Sequence, residues 1–91
     1  MQTHEFTLIL SGLDAISEDA ANSLFAAGCD DATPCSRDGV AYVHFDREAE
    51  SLEDAIRSAM ANVRAAGFDV ARVESEQFNT ISRFNQELAH A

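Results

Sequence analysis

The chain has no lysine and no tryptophan, and only one proline and four glycines in 91 residues. Its six cationic side chains are all arginine, set against sixteen carboxylates, for a formal net charge of −10. A nucleic-acid backbone is held by clustered cations that displace its counterions. An acidic surface repels it, so direct nucleic-acid binding is not expected. The two cysteines, Cys29 and Cys35, form neither a disulfide framework nor a C-x-x-C pair. Free thiols in a reducing cytoplasm are expected. No apolar run approaches the ~20 residues of a membrane helix. Met1–Glu5 lacks a cationic leader region, and the run Phe6–Leu10 is too short for a signal core. A cytoplasmic location with no membrane partner is therefore expected.

Recognisable chemistry is missing too. His4, His44 and His90 are scattered without paired-ligand spacing, and no acidic neighbour completes a familiar zinc or iron set. Asp30-Asp31 lacks the oxygen-ligand spacing of a calcium loop and reads as a solvated turn. There is no glycine-rich phosphate loop and no nucleophile elbow. Neither cysteine has an evident base or cationic activator. The expectation is a protein with no catalytic residues, no metal and no cofactor: not an enzyme.

What is present is a clear alternation of periods. Residues 4–11 read as a strand, with Phe6, Leu8 and Leu10 on one face and Thr7 and Ile9 on the other. Residues 17–28 read as a helix. Ser17 stands at its cap, Glu18 and Asp19 in its first turn, and Gly28 at its end. Its apolar stripe is expected to be Ala20, Ala21, Leu24 and Phe25. Residues 31–36 form a weak strand, and Asp38-Gly39 signals a hairpin into the strong strand 40–46. Pro34 cannot donate to a ladder, which assigns its strand to a sheet edge. Residues 51–67 make the second helix: Ser51 through Asp54 resembles a capping box, and Leu52, Ala55, Ile56, Ala59, Met60, Val63 and Ala66 line one face. Residues 68–75 read as a last strand.

This order, β-α-β-β-α-β, predicts an α+β, ferredoxin-like two-layer sandwich. Right-handed crossovers place both helices on one side of a four-stranded antiparallel sheet ordered fourth, first, third, second. That order also puts the Pro34 strand at an edge. The domain is expected over residues 1–76, with a C-terminal amphipathic helix in a tail at 77–91. In the tail, Phe78, Ile81, Phe84 and Leu88 share one helical stripe. An isolated helix of about twelve residues is marginal in water, so the stripe is expected to dock on the sheet or on a partner subunit.

The other sheet face is left uncovered. With Ala41, Val43 and Phe45 turned to the helices, Ile9, Val40, Tyr42, His44 and Val73 are expected on the open side. A histidine or a tyrosine hydroxyl placed inward would need buried partners. Apolar patches beyond a few hundred Å² seldom stay bare on soluble monomers. These five residues and the tail stripe are the candidate interface.

A family likeness can be drawn from three stretches. Phe6-Thr7-Leu8, the run Ala27-Gly28-Cys29-Asp30-Asp31-Ala32, and Val43-His44-Phe45-Asp46-Arg47-Glu48-Ala49 followed by Ser51 and Ala55–Ala59 resemble the N-terminal region of small bacterial proteins described as helix-turn-helix regulators. The likeness spans about residues 6–75 and implies the regulatory or dimerising half of such a protein. In those proteins a helix-turn-helix segment follows the last strand. Here Thr80–Phe84 stands where its first helix would begin, and the sequence reaches Ala91 with no recognition helix, so the DNA-reading role does not carry over. The expected function is a non-enzymatic cytoplasmic interaction module, homodimeric or bound to a protein partner. A small-ligand sensor with its site at a dimer interface is one alternative. An acidic antagonist of a basic protein, either an antitoxin or a mimic of nucleic-acid charge, is the other.

Overall fold

A computed structural model of the chain describes residues 2–75 together with Asn85, Gln86 and Leu88. Six elements follow one another: β1 (Gln2–Ser11), α1 (Glu18–Ala26), β2 (Ala32–Arg37), β3 (Val40–Ala49), α2 (Leu52–Ala65) and β4 (Asp69–Glu74). The four strands form one sheet in the order β2-β3-β1-β4, antiparallel at every pairing. This is the expected order, and Pro34 lies in an edge strand.

Local chemistry accounts for the elements. Ser17 and Ser51 cap the two helices, their hydroxyls accepting from the backbone N–H of Ala20 and Asp54, each at 3.1 Å. Each cap satisfies a donor that the first helical turn leaves free. Asp38 and Gly39 both take positive φ, 53° and 77°. Arg37 pairs with Val40 across them. A two-residue loop with both centres left-handed is a type I′ turn, whose twist matches that of the strands it joins.

The core lies between the sheet and the helices. Phe6, Leu8 and Leu10 of β1 and Ala41, Val43 and Phe45 of β3 are buried there against Leu24 of α1 and the apolar face of α2. The rings of Phe6 and Phe45, cross-strand partners, stack with centroids 5.3 Å apart. Along α2, Leu52, Ala55, Ile56, Ala59, Met60 and Val63 are buried as the spacing predicts.

Two expectations fail. Phe25 is 67% exposed rather than part of the α1 stripe. In this nine-residue helix Leu24 takes the position facing the sheet, and Phe25, about 100° further round, projects past it. Val73, expected on the open face, is fully buried in the core opposite Leu8. The cause is a register shift in β4: Ile9 pairs with Arg72 but Leu10 pairs with Val70, leaving Ala71 as an extra residue. A bulge of this kind breaks the period of two, so Val70 and Val73, three apart, both face inward.

Of the tail stripe, Phe78, Ile81 and Phe84 lie outside the described residues. Leu88 is half-buried and packs against the core of its own chain. Asn85 sits at the outer edge of the sheet. Its side-chain amide accepts from the Val73 N–H at 2.8 Å and donates to the Val73 carbonyl at 3.1 Å. One side chain thus meets both the N–H and the C=O of an edge-strand residue as a neighbouring strand would.

Candidate functional site

Strand β3 carries charge on both faces, and the two sets differ in kind. On the helix side, Arg47 is buried. Its guanidinium donates twice to the Asp31 carboxylate, at 2.8 and 2.9 Å. It also donates to Ser58 Oγ at 3.0 Å, to Asn62 Oδ1 at 2.8 Å and to the Gly28 carbonyl at 3.1 Å. Its carbon lies 5.0 Å over the Phe45 ring. The paired guanidinium holds the Asp31 carboxyl below its ordinary range, and Asp31 in turn raises Arg47. Beside them, burial pushes the Cys29 thiol up. Arg47 therefore ties the α1–β2 loop, β3 and α2 together. Nothing in the alternation of β3 announced it, because an arginine at an inward position is legible only once Asp31, Ser58 and Asn62 are known to converge there.

The open face is built by cross-strand pairs. Ile9 lies opposite Tyr42, Thr7 opposite His44 and Glu5 opposite Asp46. On the far side of β3, Cys35 is opposite Tyr42, Thr33 opposite His44 and Arg37 opposite Val40. Partners of one pair share a face, and the result is a surface divided in two. Towards the Asp38-Gly39 turn it is apolar, with Ile9, Tyr42 and the 41% exposed Val40. Towards the other end it is polar and acidic. There His44 Nδ1 and Thr7 Oγ1 are hydrogen-bonded at 3.0 Å. His44 Nε2 lies 3.8 Å from both Glu5 Oε1 and Asp46 Oδ1. A shallow depression bordering β1 is lined in part by Thr3, Glu5, Thr7, His44 and Glu74.

Of the predicted interface residues, Ile9, Val40, Tyr42 and His44 lie together on the open face. Val73 does not, and Leu88 sits against the core. From the sequence, no acidic neighbour of His44 completes a familiar metal set. The fold supplies two: Asp46 shares its face at a spacing of two on the same strand, and antiparallel register brings up Glu5 from the first strand. Cys29 and Cys35 are free thiols, the first buried and the second half-buried. No described helix is long and apolar enough to cross a membrane. No family model matches the chain, and neither a curated protein nor a solved structure does so.

Proposed function

We propose that the chain is a non-enzymatic interaction module of the cytoplasm, and that its open sheet face joins a second copy of itself in a regulatory assembly. The observation that carries this reading is the contiguous apolar end of that face, where Ile9 and Tyr42 oppose one another beside the 41% exposed Val40. A sheet face of this kind gains by being covered, at roughly 25 cal/mol per Å² of apolar area removed from water. Both charge signs flank the patch, with Arg37 and Arg72 near the apolar end and Glu5 and Asp46 beyond it. The resemblance to the N-terminal region of helix-turn-helix regulators points the same way, towards a dimerising role without DNA contact.

Sedimentation equilibrium tests the proposal. A dimer is expected, tightening as salt rises, because two chains of net charge −10 repel at low ionic strength. A monomer at all concentrations and salt levels would refute the reading.

A further inference from the structure

We propose that Glu5, His44 and Asp46 form a binding site for a borderline divalent cation such as zinc, a site separate from the dimer contact. The three side chains offer one imidazole nitrogen and two carboxylate oxygens, all within 4.8 Å of one another. They stand on two adjacent strands whose register is fixed along eight pairs, so their convergence comes from the ladder and not from a loop.

Three features fit a cation. The first is that the Nε2 contacts, at 3.8 Å, are too long for hydrogen bonds. The donor atoms lie close together without being spent on one another. A divalent ion with bonds of about 2.0–2.1 Å holds neighbouring ligand atoms about 3.0–3.4 Å apart. The two carboxylates are well exposed, at 74% and 57%, and reach that spacing by side-chain rotation.

The second feature is Thr7. Its hydroxyl occupies His44 Nδ1 at 3.0 Å. With the proton on Nδ1 donated to Thr7 Oγ1, the Nε2 lone pair is free and aimed at the carboxylates. This is how a metal-binding imidazole is oriented by a partner on its other nitrogen.

The third is charge. Among the described residues no arginine pairs with Glu5 or Asp46. Arg72, the nearest candidate on β4, is engaged by Glu74 at 2.6 Å. Two uncompensated carboxylates favour a dication, and the imidazole selects zinc, cobalt or nickel over magnesium or calcium. Water fills the remaining positions.

The test is calorimetric titration of the untagged full chain with zinc chloride, paired with the visible spectrum of the cobalt-loaded protein. One ion per chain is expected. His44→Ala abolishes it, and the double variant Glu5→Gln/Asp46→Asn, altered only at exposed side chains, abolishes it with the fold intact by circular dichroism. Thr7→Val weakens binding about tenfold, the effect of losing an orienting partner. Cys35→Ser, His4→Ala and His90→Ala leave it unchanged. Binding in the wild type that survives both His44→Ala and the double variant, or an absence of binding in the wild type, would overturn the proposal. Zinc binding by a chain that sediments as a monomer would sustain this site while refuting the dimer.

Discussion

The two sides of strand β3 hold similar charged groups in opposite circumstances. Facing the helices, Arg47 spends its guanidinium on Asp31, Ser58, Asn62 and the Gly28 carbonyl, and no buried side-chain polar atom among the described residues lacks a partner. Facing outward, one and three residues before Arg47, Asp46 and His44 approach one another and Glu5 without hydrogen bonding. A closed network of this kind holds elements in place and has no capacity left over. The open set has valence to spare and solvent access, which is what a ligand needs. Carboxylates therefore read as scaffold on one side of the sheet and as site on the other.

The comparison breaks most visibly at Arg47. Replacing it with methionine keeps the aliphatic bulk but strands Asp31, Asn62 and Ser58. A loss of about 2–3 kcal/mol is expected in urea unfolding, below the 3–5 kcal/mol of a fully buried pair because Asp31 is partly wet. His44→Ala, on the open face, should change the same measurement by less than about 0.5 kcal/mol. Equal losses at the two positions would erase the distinction between the faces.

Asn85→Ala should cost about 1 kcal/mol. It removes two hydrogen bonds to Val73, but water can reach the vacated edge and recover part of the loss. Edge-strand amides of β4 should then exchange faster with solvent than those of β1.

A further effect is expected with acid. The folded state holds the Asp31 carboxyl below its unfolded value, so its contribution is complete above the ordinary carboxylate range, about pH 4, and fades as pH falls through the lowered value. Asp31→Asn should be less stable at neutral pH, yet show a shallower loss of stability as pH falls below about 4. A variant whose acid limb parallels the wild type would show that Arg47 does not bind the charged form preferentially.

The fold was largely legible because its signals are local. The Asp38-Gly39 turn, the serine caps, the α2 stripe and Pro34 each name their element, and together they select one strand order. Val73 was misplaced because a bulge at Ala71 has no residue signature of its own; it appears only when β4 is laid against β1. Phe25 was misassigned because a short helix has room for one core residue per turn, and periodicity does not say which of two neighbours takes it. The candidate site lay hidden for a different reason. Glu5 and His44 are far apart in the chain and become neighbours only through strand register. His44-x-Asp46 on a strand was the half of the signal that linear reading offers.

The claim that the open face exists to make contact is tested most directly by sedimentation equilibrium of the wild type beside Val40→Glu. Val40 is exposed, at 41%, so the substitution should leave the thermal unfolding curve nearly unchanged while converting a dimer into a monomer. A wild type that is already monomeric, or a variant that dimerises as tightly as the parent, would contradict it.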